Sequence, residues 1–310
     1  MSKEKRNLDL IIIGGGPAGL TAAMYAGRAK LNVLLLENEI VGGQVRNSYT
    51  IENYPGFKSI DGGDLADIFQ EQARELGAII DEFDSIQNID ISDDKKTIET
   101  ESYIYEPKAV IVATGAAPKK LPIPQESEFS GRGIHYCAIC DGAIYQGKRV
   151  AVVGGGNSAL EESIFLTRFA EKVYLIRRYD YFKGEQALID EVFNHPKIEV
   201  LLNEDLIEAS GNEFLQSVTI KNTKTQEVRS LEMNAVFGCI GTEPRTEFIK
   251  DYLNLNAQGY IIADEDMQTN IKGVYAAGDV RQKRYRQITT AVADGTIALL
   301  NAEKYILNKK

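Results

Sequence analysis

The chain has 310 residues, 44% hydrophobic and 26% charged, which supplies enough apolar material for two domains and argues against bulk disorder. Its formal net charge of −10 makes it a poor candidate for general nucleic-acid or anionic-membrane binding, which draws on clustered positive charge. Three cysteines do not make a disulfide framework in so long a chain, and the longest apolar runs, such as LDLIIIG and KAVIVATG, are too short to cross a bilayer.

The start MSKEKRN is charged like the front of a signal segment, but the apolar run after it is short and broken by GGGPAG, so it reads as a plain cytoplasmic start. LDLIII reads as a buried parallel strand, GGGPAGLTAAMYAGRAK as a tight turn opening a helix, and NVLLLE as a second strand ending at Glu37. Gly14, Gly16 and Gly19 fit G-x-G-x-x-G. The first makes the turn, the second lets a pyrophosphate approach the backbone, and the third lets helix and strand pack closely. The helix N-terminus then faces the phosphates, and Glu37, twenty-three residues after Gly14, is placed to accept hydrogen bonds from an adenosine ribose. Further on, DDKK near residue 93 reads as a hairpin turn, and KAVIVATGAAPKKLPIP ends a strand in a glycine turn and a proline-rich boundary.

HYCAICDG follows, with Cys137 and Cys140 at the spacing of a metal hook, a structural staple or a working redox pair. These eight residues alone do not choose among the three. The metal reading needs two more ligands, and His135, His195, Cys239 and the scattered carboxylates fall at no recognised spacing. A second strand–turn–helix–strand unit, KRVAVVGGGNSALEESIFLTRFAEKVYLIRR, then repeats the first as Gly154-x-Gly156-x-x-Ala159. The position equivalent to Glu37 is Arg177, with Arg178 beside it. An acid suits a free ribose hydroxyl and arginines suit a 2′-phosphate, so the first turn predicts a FAD-like ligand and the second NADP(H). His135 reads as a surface or packing residue, His195 as the end of a helix before Pro196, and Cys239, in the apolar strand AVFGCIG, as a buried small hydrophobe. FGCIGTEPRTEF closes the inserted unit. GYIIADEDMQTNIKGVYAAGDV reads as strand-like material ending at Asp279, and QITTAVADGTIALLNAEKYIL as a terminal helix. The expected fold class is α/β, with two nested Rossmann-like dinucleotide-binding domains. Residues 1–117 and 245–310 form the first, and 118–244 form the inserted one carrying the cysteine pair.

The motifs IIIGGGPAGLTAAMYAGRA, VGGQV, IENYPG, VIVATGA, CAICDG, VVGGGNSALEE, VYAAGDV and YRQITTAVADG occur in the order found in low-molecular-weight, bacterial-type thioredoxin reductases, which the chain resembles nearly end to end. A C-x-x-C-D-G inside the nicotinamide domain separates that group from glutathione-reductase relatives, which carry the pair in the FAD domain. Ferredoxin–NADP reductases of the same architecture lack the pair. The resemblance implies a cytoplasmic homodimer that passes electrons from NADPH through FAD and a Cys137–Cys140 dithiol to thioredoxin, with Asp141 as the acid. It carries the FAD contacts onto Gly14, Gly16, Pro17, Ala18, Glu37, Gly43, Gln44, Asn53, Thr114, Gly115, Asp279, Arg286 and Gln287. It carries the NADPH contacts onto Gly154, Gly156, Asn157, Ser158, Arg177, Arg178 and Lys183.

One stretch departs from that family, whose members usually carry HRR followed four residues later by another arginine. In IRRYDYFKGE, Arg177 stands in the histidine's place, Arg178 is kept, Tyr179 replaces an arginine and Lys183 replaces the last one. Lysine lacks arginine's bidentate fork, so the preference for NADPH over NADH is expected to be smaller than in relatives with the full pattern. The alternatives are a related flavin disulfide reductase with a different disulfide substrate or another donor such as ferredoxin, and a dinucleotide sensor that keeps only the fold. An intact cysteine pair argues against the sensor.

Overall fold

The computed structural model describes residues 3–48 and 51–308. The chain runs from β1 (Glu4–Ile13) through α1 (Pro17–Arg28), β2 (Val33–Glu37), α2 (Gly62–Glu75), β3 (Ile79–Glu82), the hairpin of β4 (Ile86–Ile91) and β5 (Lys96–Thr100), and β6 (Tyr103–Val112). β1 begins four residues before the apolar run that the sequence marks as a strand. Glu4 to Leu8 pair in parallel with Tyr103 to Pro107. The polar extension is held by its side chains, with the Arg6 guanidinium 3.4 Å from the centre of the Tyr103 ring and Lys5 Nζ 2.7 Å from Glu106 Oε1. DDKK makes the hairpin turn, closed by Ser92 N–H donating to the Lys95 carbonyl. Gly14 turns the chain into α1 at φ 108°, and a Cβ there would stand 2.4 Å from the Ala113 carbonyl oxygen, so no other residue fits.

After β7 (Ala116–Pro118) the chain enters a second unit. This contains α3 (Glu126–Phe129), β8 (Ile134–His135), α4 (Ala138–Asp141), β9 (Arg149–Gly154), α5 (Asn157–Leu166), β10 (Lys172–Arg177), α6 (Gln186–Asn194) and β11 (Ile198–Leu202). An antiparallel sheet of β12 (Glu204–Gly211), β13 (Leu215–Asn222) and β14 (Val228–Glu232) precedes β15 (Ala235–Cys239). The parallel sheet has the order β11-β10-β9-β15-β8. α6 stops with His195 as its C-cap, before Pro196. β16 (Thr242–Pro244) pairs with β7, and the chain divides into Met1–Ala117 with Glu243–Lys310 as unit 1 and Pro118–Thr242 as unit 2. The return crossing thus lies two residues before the expected boundary. It falls in the middle of the paired ribbon, bounded by Lys119 N–H to the Gly241 carbonyl and Arg245 N–H to the Gly115 carbonyl.

β17 (Val274–Ala276) and α7 (Ile288–Asn308) complete unit 1. Its sheet has the order β3-β2-β1-β6-β5-β4, with β17 added to β6. Of GYIIADEDMQTNIKGVYAAGDV, read as strand-like, only Val274–Ala276 forms a strand, and the rest makes isolated bridges and turns. Asp264, for example, accepts the Gln268 N–H and folds the chain back. Alternation along β1 and β2 sorts the core into two layers. Leu10, Ile12 and Leu35 meet the buried faces of α1 and α7, and Ile11, Ile13, Leu34 and Leu36 meet the opposite layer with Ile98 and Val274. Among the described residues no helix is long and apolar enough to cross a membrane.

α7 lies so close to α1 that a Cβ on Gly295 would stand 2.2 Å from the Ala18 carbonyl oxygen. Overpacking of this kind costs about 1–3 kcal/mol. Gly295→Ala is therefore expected to lower the thermal midpoint of unit 1 by several degrees, measured by calorimetry. An unchanged melt would mean that the two helices separate freely at this point.

Candidate active site: two glycine turns and a cysteine pair

The turn between β1 and α1 is bonded to both neighbouring segments. Gly15 N–H donates to Glu37 Oε2 at 2.7 Å, and Gly42 N–H donates to the Gly15 carbonyl at 2.8 Å. A Cβ on Gly43 would lie 3.2 Å from Gly16 Cα, whereas one on Gly16 would meet nothing within 4 Å. The turn therefore presents open backbone beside a carboxylate. Pro17 fills the first helical position, Ala18 is buried, and Gln44 is exposed in the short turn Gly43–Asn47. Asn53 Nδ2 donates to Gln287 Oε1 at 3.4 Å, joining two of the expected contacts from opposite ends of the sequence. Thr114 Oγ1 donates to the Arg245 carbonyl at 2.7 Å, and Gly115 turns the chain at φ 69°.

Burial raises the Asp279 carboxyl above the ordinary range despite Lys283 and Arg286 nearby. Its Oδ1 has no hydrogen-bond partner, with Lys283 Nζ standing off at 3.5 Å. Arg286 Nε is likewise buried without an acceptor, its guanidinium 4.1 Å over the Tyr260 ring. Buried polar atoms without partners are costly, and a ligand that supplies them removes the cost. The open turn, the acid and these two orphaned atoms fit a dinucleotide such as FAD.

The turn in unit 2 repeats the geometry with a different side chain. Lys183 N–H donates to the Gly155 carbonyl at 2.8 Å, the counterpart of the Gly42 bond, and a Cβ on Gly156 would again meet nothing within 4 Å. Arg177 lies across Gly155, where a Cβ would come 2.4 Å from its guanidinium carbon. Its Nε–H donates to the Tyr181 carbonyl at 3.0 Å, and the guanidinium sits 4.7 Å over the Tyr179 ring and 5.6 Å over the Tyr181 ring. Its Nη2 is buried without an acceptor, which fits an anionic ligand at this turn. Arg178 is engaged elsewhere, with Nη2 2.8 Å from Asp205 Oδ2 of β12. Asn157 exchanges hydrogen bonds with Glu185, and the side chains of Ser158 and Lys183 are exposed. Asp205 and Glu185 carry no motif. Only the neighbourhood of β10 and β12 brings Asp205 to Arg178.

Cys137 and Cys140 form a disulfide with their Cα atoms 5.3 Å apart, across the start of α4. The Cys140 N–H also donates to Cys137 Sγ at 3.2 Å. Cys137 is half-buried and Cys140 exposed. Among the described residues no group of three or more His, Cys, Asp or Glu is placed to hold a metal ion. Asp141 Oδ2 lies 3.3 Å from His135 Nδ1, and His135 Nε2 lies 2.7 Å from the Tyr145 hydroxyl. His135 does pack, stacked on Phe237, but the reading of it as a packing residue misses that both ring nitrogens are engaged.

Cys239 packs against the core of unit 2 as a small hydrophobe, as expected, and its thiol is also bonded. Its thiol donates to Glu162 Oε2 at 3.0 Å, and Glu162 also accepts the Ala138 N–H. Burial raises the Glu162 carboxyl, and burial together with that carboxyl pushes the Cys239 thiol well up. Glu162 carries no motif, because ALEESIF reads as an ordinary helix. Its helical spacing from the buried Ala159 and Leu166 is the one signal that places it towards the sheet.

The family model described as "pyridine nucleotide-disulphide oxidoreductase" matches residues 8–295. A Clostridium pasteurianum protein described as "34.2 kDa protein in rubredoxin operon" is 53% identical over 99% of this chain and all of its own. The thioredoxin reductase of Listeria innocua is 42% identical over 99% of this chain and 96% of its own. Among solved structures, the thioredoxin reductase of Streptococcus pyogenes superposes with a TM-score of 0.93 at 41% identity, over 97% of this chain and 99% of that one. With two glycine turns, a disulfide between them in sequence and full-length relatives of this kind, the chain belongs to the pyridine nucleotide-disulphide oxidoreductase family.

Proposed function

We propose that the chain is an NADPH-dependent thioredoxin-disulfide reductase, acting as a cytoplasmic homodimer, with the Cys137–Cys140 pair as its working group. The observation that carries this reading is the disulfide itself, half-exposed in unit 2 beside a carboxylate, in a chain whose two glycine turns differ in the charge laid across them. Bound FAD supplies a two-electron carrier between the nicotinamide and the disulfide. Glu37 accepts from the adenosine ribose, the open backbone at Gly16 admits the pyrophosphate, and Asp279 and Arg286 bring orphaned polar atoms to the same nucleotide. In unit 2 Arg177 offers its free Nη2 to the 2′-phosphate, and Gly156 leaves room for the second pyrophosphate. Once reduced, Cys137 attacks the thioredoxin disulfide as a thiolate, Cys140 resolves the mixed disulfide, and Asp141 handles the protons.

Two single-cysteine variants test the dithiol. In Cys140→Ser, reduction of the flavin by NADPH is expected to survive while transfer from flavin to protein sulfur is lost. Cys137→Ser is expected to leave Cys140 able to form a long-wavelength charge-transfer band with the oxidised flavin. Full thioredoxin turnover by either variant rules out the dithiol mechanism.

A second reading keeps the flavin and dithiol but takes electrons from another donor such as ferredoxin. The ion pair between Arg178 and Asp205 favours it, since one of the two cations assigned to the 2′-phosphate is already engaged. An exposed pair of this kind contributes about 0.2–1 kcal/mol, so it weakens the preference for NADPH by up to about fivefold without abolishing it. Anaerobic flavin reduction by NADPH and NADH separates the readings. NADPH is expected to be the faster donor, with Arg178→Ala narrowing the margin and Asp205→Asn widening it. Equal rates with both nucleotides, unmoved by either substitution, remove the 2′-phosphate assignment, and no reduction by either favours the other donor.

A further inference from the structure

His135 is 7% exposed, and each ring nitrogen meets a polar side chain: Asp141 Oδ2 at 3.3 Å on Nδ1 and the Tyr145 hydroxyl at 2.7 Å on Nε2. The ring is held in place, stacked on Phe237 at 5.5 Å and edge-on to Tyr145 at 5.4 Å. An imidazole bonded at both nitrogens can take a proton on one side and be stabilised through the other. Asp141 is the residue directly after Cys140, and its side chain keeps 20% exposure. We propose that His135 is a positioning residue that stores and returns the proton Asp141 exchanges with the dithiol, with Tyr145 fixing the ring's tautomer. This rests on the dithiol reading above. The other titratable groups facing the pair are Glu162 of α5, which accepts the Ala138 N–H, and Cys239 of β15, which donates to Glu162; Phe237 offers only a ring.

The protons and electrons balance as follows. In the reduced protein Cys137 is a thiolate, its proton held as imidazolium on His135 against the Asp141 carboxylate, and Cys140 is a thiol. Attack of Cys137 Sγ forms a bond to one substrate sulfur and breaks the substrate disulfide. His135 Nδ1 passes its proton to Asp141, which hands it to the departing sulfur and returns to a carboxylate. The neutral ring keeps its other proton on Nε2 and donates it to the Tyr145 hydroxyl oxygen. Cys140 next gives its proton to the pair, attacks Cys137 Sγ and restores the disulfide seen in the structure. The pair passes that proton to the second departing sulfur. Two electrons and two protons thereby leave the dithiol and arrive on the substrate.

The test uses full-length protein reduced with a phosphine, and follows alkylation of Cys137 by mass against pH in wild type, His135→Gln, His135→Phe and Tyr145→Phe. Removing the imidazole leaves Asp141 as an uncompensated carboxylate beside the sulfurs. The alkylation midpoint is therefore expected to rise by about one pH unit in both His135 variants, and in the same direction but less in Tyr145→Phe. Thioredoxin turnover is expected to fall about 10- to 100-fold in kcat with KM little changed. Wild-type profiles in both His135→Gln and Tyr145→Phe overturn the proposal. So does a wild-type profile in His135→Gln alone, because a hydrogen-bonding amide carries no proton. Tyr145→Phe removes a single hydroxyl and serves if the His135 variants fail to fold. Failure of the underlying reading is distinct, since Cys137→Ser then turns over thioredoxin whatever the state of His135.

Discussion

In each unit the side chain that closes the second parallel strand lies across the middle glycine of the turn that ends the first: Glu37 over Gly15, and Arg177 over Gly155. This contact sets the charge laid beside each turn. A Cβ at 155 would stand 2.4 Å from the Arg177 guanidinium carbon, so a larger residue there would displace the arginine from the turn. The bond from the following loop, Gly42 in one unit and Lys183 in the other, ties that loop to the same turn at 2.8 Å in both. Strand end, turn and loop form one small rigid frame, used twice.

Within the shared frame the two side chains behave differently for a simple electrostatic reason. A carboxylate can accept the glycine N–H and is stabilised by it, so Glu37 rests against its own turn with its acceptor capacity partly met. A guanidinium has only donors and cannot take that N–H. Arg177 instead gives Nε–H to the Tyr181 carbonyl, lays its plane over two tyrosine rings and leaves Nη2 without an acceptor. Tyr179 and Tyr181 thus support the arginine from the loop that would otherwise carry another cation. Replacing a charge by an aromatic face trades strength of anion binding for a fixed arginine orientation.

What was legible in the sequence follows the range of the interactions involved. The glycine turns, the DDKK hairpin, the stop of α6 at His195 and the spacing of Glu37 and Arg177 are local, decided within about one strand–helix–strand unit, and they leave periodic traces. The polar half of β1 left none, because Lys5 and Arg6 are held by Glu106 and Tyr103 from a strand a hundred residues on. The Arg178–Asp205 and Glu162–Cys239 pairs are invisible for the same reason. Each joins an ordinary surface or helix residue to a distant strand, and no spacing rule connects them. His135 was hidden differently. Its partners are close in sequence, but a histidine before a C-x-x-C carries no pattern, and only the fold of α4 and the turn after it brings Asp141 and Tyr145 onto opposite ring nitrogens.

The segment from Ile134 to Tyr145 contains only a two-residue strand, a four-residue helix and a single 3-10 turn, too little backbone structure to hold a disulfide at a fixed place by itself. It is fixed instead from below by side chains rooted in longer elements. Glu162 on α5 takes the Ala138 N–H, Phe237 on β15 supports the His135 ring, and β8 itself pairs with β15 at Val236 and Phe237. A working dithiol has to break and remake its bond without unfolding what carries it, and side-chain anchoring suits that need. Cys140 and Asp141 share that short helix, and His135, which meets Asp141, is held on the sheet through β8.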